Sequence, residues 1–536
     1  MKIGIFTEGY PPQINGVATS VENSVKGLRK RGNEVFVVAA KYPNVKDEKY
    51  VTRLSSIPVI RDMNLRMATH LPERALFRLS KIEFDIIHCH SGGPLTIMGL
   101  EFSRLKRTPA VFTYHTLFNQ YTHYVFRGKL ITPKMAETAS RILCNRFDYI
   151  IAPTLRIRKE LVSYGVKKPI AVIASGIDTK KFDVKDDGFL RSKTGIPNDQ
   201  KILLYVGRLA KEKSLDFVIR SFRIVAEKDK SCVLVITGNG TKKDVAFFKN
   251  LSRSLKLEKR VYFTGAFKPS EIEKVYAGGY VFLFASASET QGMVVWEALA
   301  SGLPVIAVRD KALEDAIESG KNGIFTKRDE NEFAKTVLEF LKNNDLRERM
   351  SKNAKESAQK FSLEKNAEEL EKVYKKVLSE QANKRIHEVV LSSEINIPVE
   401  RIWELLTDLT LYTKYVKHTQ KVYGPKKLTI GTGWQDWSTM LWVPIKVSHK
   451  VVVFDKNKAI GFDIPFPWPV GGEMIQRIYL ERNGPKTKFN ASMKFRFGNR
   501  FVNILISPIL KARLRDTMLY TMEKTQKDRL KLMGKN

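Results

Sequence analysis

Three cysteines in 536 residues, Cys89, Cys144 and Cys232, are too few and too far apart for a disulfide framework, and no pair has the Cys-x-x-Cys spacing of a zinc ribbon. A reducing compartment is the expectation. No apolar run reaches the roughly 18 residues of a membrane-spanning helix. Met1 opens onto KIGIFT without the basic segment, apolar stretch and small-residue cleavage site of an export signal. The chain is therefore expected to be soluble or to lie on a surface. Acid is also scarce: 57 Asp and Glu face 92 Lys and Arg, a formal charge of +35. That excess implies a polyanionic partner, with nucleic acid and anionic lipid as the two classes to separate.

What is present is a rhythm. Short β-branched runs alternate with amphipathic helical stretches, the pattern of parallel sheets with crossover helices. The first series is KIGIFT, EVFVVAA, DIIHCH, AVFTYHT and YIIAPT; a second starts at KILLYVG and runs through CVLVITG, VYFTG, VFLFAS and LPVIAV. The fold class is thus α/β, with two Rossmann-like, doubly wound domains over 1–169 and 170–364, joined near SGIDTKKF. A charged helix over about 365–385 completes the first domain. Beyond it the rhythm changes to a strand, the helix PVERIWELL, alternating strands and one long helix from near Asn499, an α+β domain over 386–536.

In an open parallel sheet, ligands bind where strands end and helices begin. FTEGYPPQINGVATSV places Gly16 there, and an amide with no side chain in front of it lets a phosphate approach; the alternative is a glycine that only shapes the turn. YVGRLAKEKSLD sets Arg208 after a strand and Lys213 near the next helix. A guanidinium fork and an ammonium point charge at that spacing suit a diphosphate, or else are two solvated cations. ASASETQGMVVWEALASGLPV sets Glu289 past the end of VFLFAS, where it can accept hydrogen bonds from sugar hydroxyls. Glu297 is expected about two turns into a helix starting near Gln291, in reach of a ribose, and Gly292, Met293 and Val294 offer helix N-terminal amides to phosphates. Carboxylates on a helix are commonly just solvated, so this pair takes its weight from its neighbours.

In the order PPQINGVATSV, YHT, SGIDTKKF, GRLAKEKSLD, TGNGTKK and ETQGMVVWEALASGLPV, these motifs resemble glycosyltransferase family 4, retaining enzymes of the GT-B fold, over about residues 1–378. Within that family, FTYHTLFNQYTHYV and ETQGMVVWEALA look most like the diacylglycerol glucosyltransferases. The resemblance implies a hexosyltransferase with UDP- or GDP-hexose as donor substrate, no cofactor, and a lipid acceptor, diacylglycerol or a related glycolipid. It implies Gly16 near the diphosphate, Arg208 and Lys213 holding it, Glu289 on the sugar, Glu297 on the ribose and His115 beside the transferring sugar. The catalytic set is then His115, Glu289, Arg208 and Lys213, with the cations meeting charge that grows on the departing diphosphate. No metal is implied, and no Asp-x-Asp pair, the handle for metal-held donors in the other major glycosyltransferase fold, occurs in the chain. The alternatives are a soluble acceptor, or a lipid-binding protein on a degenerate transferase scaffold.

Rival signals are thinner. TGNGTKKD carries Lys243 where a dinucleotide fingerprint needs its third glycine. His88 and His90 flank Cys89, but neighbouring strand residues face opposite ways, which argues against a metal site in HCH. No aromatic RNA-binding pattern, zinc finger or arginine-rich tract supports nucleic acid. The basic excess gathers instead over 126–168, where Arg127, Lys129, Lys134, Arg141, Arg146 and Arg158 are assigned to an anionic membrane surface. KMAETASRILCNRF serves there as an amphipathic helix, with plain solvated charge as the alternative. The expected location is cytoplasmic, peripheral on the inner face of the membrane. From about residue 386 to 533, VVLSSEINIPVERIWELLTDLTLYTKYV and the long last helix resemble the START-like, polyketide-cyclase (SRPBCC) helix-grip superfamily. A lipid-binding role is expected from that resemblance, since such domains often enclose an apolar cavity. Five of the six tryptophans, Trp403, Trp434, Trp437, Trp442 and Trp468, fall in this region and read first as core.

Overall fold

Runs such as Cys232–Thr237 are apolar on both faces and are buried along their whole length, so they need cover on both sides and form the interior of parallel sheets. The structure, a computed structural model, describes the chain except for residues 46–47, 61–64, 70–76, 78, 119–131, 287–288, 384–385, 418, 441–442, 467–470, 498–499 and 529–536. It divides into two units, Met1–Leu378 and Ser379–Asn536.

The first unit contains two parallel sheets. One has seven strands in the order Val51–Leu54, Glu34–Ala40, Lys2–Thr7, Ile86–His90, Ala110–Thr113, Tyr149–Ala152 and Ile170–Val172. The other has six, in the order Val261–Gly265, Cys232–Thr237, Lys201–Val206, Val281–Phe284, Val305–Val308 and Gly323–Thr326. In each sheet the winding reverses once, next to its first strand in sequence, and opens a crevice at the carboxyl ends. The first sheet runs on through Ile170–Val172, three residues past the expected boundary at 169. The charged stretch before residue 385 forms two helices, Asn344–Gln359 and Leu363–Asn383. The second returns to the first sheet and buries Ala367, Leu370, Val373, Tyr374 and Val377 against Ile3, Ile5, Val21 and Val25. Polar contacts fix its register: Tyr374 Oη lies 2.7 Å from His88 Nδ1, and Glu371 accepts from Arg31 at 3.0 Å and Asn33 at 2.6 Å.

The second unit is a seven-stranded antiparallel sheet in the order His387–Ile395, Lys486–Phe497, Gly472–Asn483, Ala459–Pro465, Val443–Asp455, Gly433–Met440 and Thr419–Tyr423. Helices Val399–Thr407 and Leu409–Tyr415 follow its first strand, and Arg500–Lys527 is the long last helix. Burial alternates along Lys486–Phe497, so one face of the sheet forms the core. Trp403 and Trp434 are in that core, with Phe462 and Phe466. Trp437, expected there too, is 36% exposed, because it stands an odd number of residues from inward-facing Trp434 and Asp436. Trp442 and Trp468 lie outside the described residues.

Candidate active site

At the switch point of the second sheet, the loop after Lys201–Val206 carries Arg208 and Lys213, and the loop after Val281–Phe284 carries Glu289. The two loops meet in an ion pair. Lys213 Nζ lies 2.6 Å from Glu289 Oε1, with the side chains only 15% and 13% exposed. Burial alone would raise the Glu289 carboxyl; the charge and hydrogen bond of Lys213, with the Arg208 charge behind them, hold it below its ordinary value. Arg208 Nη2 is 2.5 Å from Glu212 Oε1, on the short turn Lys211–Lys213. The crevice therefore sets a carboxylate fixed in its accepting form beside two cations, a layout that can take hydroxyls and phosphates together.

The next helix is Met293–Ala300, with Gly292 as its cap in the left-handed region at φ 72°. That conformation calls for glycine, and a Cβ there would stand 2.8 Å from Leu313 Cδ2, which would have to shift. The helix starts two residues later than expected, and Glu297 sits one turn inside it, not two. Glu297 Oε2 accepts from Tyr276 Oη at 2.8 Å, and burial pushes its carboxyl up to about 7, only partly offset by that hydrogen bond. The pair of glutamates is thus split by environment: Glu289 is held ionised and Glu297 titrates near neutrality.

The first half of the unit closes on this loop. Gly16 starts the helix Gly16–Lys30 behind an Asn15 cap that accepts from the Ala18 amide at 2.8 Å. A Cβ on Gly16 would come 3.7 Å from Met293 Cγ, which brings Gly16, Gly292, Met293 and Val294 into one region. Thr154 donates to the Thr290 carbonyl at 3.1 Å, and Gln291 accepts from the Ser175 amide at 3.0 Å. Arg156 pairs with Asp310 at 3.0 Å and donates to the Glu289 carbonyl at 3.4 Å. Arg156 lies within the basic stretch 126–168, yet it turns inward and supports the Glu289 loop.

His115 follows the strand Ala110–Thr113 and is buried. Its Nε2 lies 2.9 Å from His90 Nδ1, the rings are stacked, and burial lowers it to about 4, so it is neutral at physiological pH. His88 and His90, two residues apart, share a face with ring centroids 4.0 Å apart, and His88 is held between Tyr374 and Thr113. Among the described residues, no group of His, Cys, Asp and Glu is arranged to hold a metal ion. Glu8, missed in the sequence, ends the first strand by the same rule that singled out Glu289: it accepts from the Leu95 amide at 2.6 Å, and burial raises it to about 7.

Outside the crevice, the helix Pro133–Cys144 buries Ala136, Ser140 and Cys144. Its outer face exposes Lys134 and Arg141 together with apolar Met135 and Ile142, and Arg146 and Arg158 are exposed nearby in sequence. Arg127 and Lys129 lie outside the described residues. Among the described residues, no helix is long and apolar enough to cross a membrane.

The family described as Glycosyl transferases group 1 matches residues 186–357, and Glycosyltransferase Family 4 matches 14–181. The alpha-monoglucosyldiacylglycerol synthase of Streptococcus pneumoniae is 34% identical over 348 residues, 64% of this chain and 78% of that protein. The protein of the same name from Acholeplasma laidlawii is 32% identical over 381 residues, 68% of this chain and 94% of that one. The chain belongs to the group 1 glycosyltransferases. The two family matches fall within the first unit of this glycosyltransferase. In fold, the enzyme is similar to Anabaena HepE, solved in complex with UDP and glucose, with a TM-score of 0.57 at 19% identity over 70% of this chain and 100% of that one. That likeness is the GT-B arrangement of two parallel sheets.

Proposed function

We propose that this glycosyltransferase moves a hexose from a sugar nucleotide to a lipid acceptor, diacylglycerol or a related glycolipid, with retention at the anomeric carbon and at an anionic membrane surface. The observation that carries the donor site is the Lys213–Glu289 pair at 2.6 Å across the switch point. Glu289, kept ionised, accepts from the sugar hydroxyls, and Glu297 from the ribose. Arg208 and Lys213 take the diphosphate and stabilise it most as the glycosidic bond stretches and negative charge builds on the leaving oxygen. With two cations in that role, the reaction is proposed to need no metal. Neutral His115 and Gly16 line the sugar and diphosphate from the other half. The two relatives named as alpha-monoglucosyldiacylglycerol synthases support a lipid acceptor. The exposed Lys134, Met135, Arg141 and Ile142 support docking on anionic lipid, with apolar residues entering the interface and cations on the headgroups.

The second unit is proposed as a START-like lipid holder. Its sheet and helices surround a cavity of about 230 Å³, lined by Ile402, Phe462, Ile464, Met474 and Leu510 among other residues. Mass spectrometry of products from a panel of sugar nucleotides, offered diacylglycerol vesicles and soluble polyols, tests the whole reading. A hexosyl lipid is expected. Transfer only to polyols would replace the lipid acceptor with a soluble one.

A further inference from the structure

The cavity of the second unit has a polar spot in a largely apolar wall. Asp436 and His449 both line it, and both are buried, at 2% and 8% exposure. They stand on neighbouring antiparallel strands in which His449 pairs with Trp434 and Asp436 with Val447, so the two side chains are diagonal neighbours on the inner face. His449 Nε2 is 3.2 Å from Asp436 Oδ2. The other carboxyl oxygen, Oδ1, accepts from Ser438 Oγ at 2.9 Å, and Ser438 Oγ in turn lies 3.3 Å from Thr419 Oγ1. Trp434 stacks flat on the imidazole, with centroids 3.8 Å apart and planes 5° apart, and Tyr412 meets Trp434 edge-on. Tilting the ring out of its plane would break that stack.

An acid–base pair inside an apolar cavity is a poor way to gain stability, since apolar residues of the same size would serve as well or better. We infer that the Asp436–His449 pair is the head-group subsite of this cavity and that its ligand is a lipid with a free hydroxyl. The inference rests on reading the unit as a lipid holder and adds what the ligand must carry. With Nε2–H given to Asp436, a neutral His449 has an acceptor at Nδ1, and Asp436 has lone pairs to spare. A ligand hydroxyl can donate to either. With a proton on both ring nitrogens Nδ1–H serves an ether oxygen too, and the preference for a hydroxyl then rests on the spare lone pairs of Asp436. An ether or ester oxygen, which only accepts, finds no donor on the neutral pair, and a carboxylate would place a second negative charge beside Asp436. The volume, about 230 Å³, lies below the usual range of ligand cavities, which begins at about 300 Å³, and suits one acyl chain better than two. An acceptor lipid is by definition a molecule with a free hydroxyl, so the subsite selects the group that the transferase reaction consumes.

The test uses the full chain and three short probes, octanol, octyl methyl ether and octanoic acid, each competed against a fluorescent apolar ligand of the cavity. Octanol is expected to bind at least about tenfold more tightly than the ether, the worth of a hydrogen bond to a charged or polarised group. The double variant Asp436→Leu/His449→Phe replaces the pair with apolar residues of similar size, a change of the kind that buried ion pairs commonly tolerate. It should bring the octanol-to-ether ratio to about one while the ether binds as before. Equal binding of octanol and ether by the unaltered chain overturns the hydroxyl subsite and leaves the lipid holder standing. A preference for octanoic acid overturns it in favour of the cations Arg513 and Lys417, which also line the cavity. If none of the three probes competes, both readings fall. An unchanged ratio in the double variant removes the pair from the subsite, and should that variant not fold, the unaltered chain alone decides.

Discussion

At the scale of single residues, the chemistry turns on how two glutamates eight positions apart are held. Lys213 keeps Glu289 charged in a place where burial opposes charge. Lys213→Ala therefore removes a cation from the proposed diphosphate site and also leaves Glu289 buried without its ion-pair partner. Turnover is expected to fall at least tenfold, the effect of about 1.4 kcal/mol of lost transition-state stabilisation, and Lys213→Arg should recover part of it. Near-normal turnover in Lys213→Ala and in Arg208→Ala would take both cations out of the site. Glu297 behaves in the opposite way. Its carboxyl is raised from 4.5 to about 7, so the proton it holds in the folded state stabilises the fold below 4.5, and that contribution is lost as pH rises through 7. Ribose hydroxyls donate best to the ionised form. Affinity for a sugar nucleotide, whose diphosphate does not titrate in this range, should consequently rise as pH passes 7, and Glu297→Gln should flatten the profile. Calorimetric titrations across that range that show parallel profiles for the two proteins would separate Glu297 from the ribose.

At the scale of elements, the helix Leu363–Asn383 packs on the first sheet through a buried apolar stripe and the Tyr374–His88 contact. Tyr374→Phe keeps the ring but leaves His88 Nδ1 buried without that partner, at a cost of about 1–3 kcal/mol. A lower midpoint in the thermal transition of the first unit, with donor affinity unchanged, is the expected result. Much of this layer could be read from the sequence, because five long β-branched runs in each half carry an unmistakable strand signal: KIGIFT and EVFVVAA run over the very residues of their strands. What escaped were short strands without a long β-branched run, Val51–Leu54, Ser56–Ile60, Leu65–Ala68, Ile170–Val172 and Gly323–Thr326, too short to show a period. The candidate site was legible for the same reason that the sheets were: strand ends mark ligand positions, and Arg208, Lys213 and Glu289 stand at such ends. Arg156, Tyr276 and Gln291 were not legible, because their roles depend on which distant loop each one meets. The histidines of HCH show the limit of parity reasoning: neighbours alternate, but His88 and His90 are two apart and share a face.

At the scale of the whole molecule, a strongly basic chain joins a transferase to a unit built around an apolar cavity, and both features suit a substrate drawn from an anionic bilayer. If the exposed Arg141, Arg146 and Arg158 dock there, vesicle binding should weaken with salt as the Debye length shrinks from about 10 Å at 0.1 M to about 3 Å at 1 M. Exchanging all three for glutamate should weaken it further. Equal binding to neutral and anionic vesicles at every salt concentration would argue that these cations are only solvated. The second unit makes a separate demand. An acyl chain leaving the bilayer must be sheltered from water, at about 0.8 kcal/mol per methylene group, and a cavity lined by Phe462, Ile464 and Met474 offers that shelter. A chain ending at Asn383 keeps the helix that packs on the first sheet, and so keeps the donor crevice. It should still hydrolyse sugar nucleotide slowly in water while losing most of its transfer to vesicle-embedded lipid, and transfer to a short-chain acceptor already dissolved in water should survive. That last comparison separates lipid delivery from catalysis: if the shortened chain glycosylates vesicle lipid as fast as the full one, the cavity does not feed the reaction, and its ligand serves some purpose other than transfer.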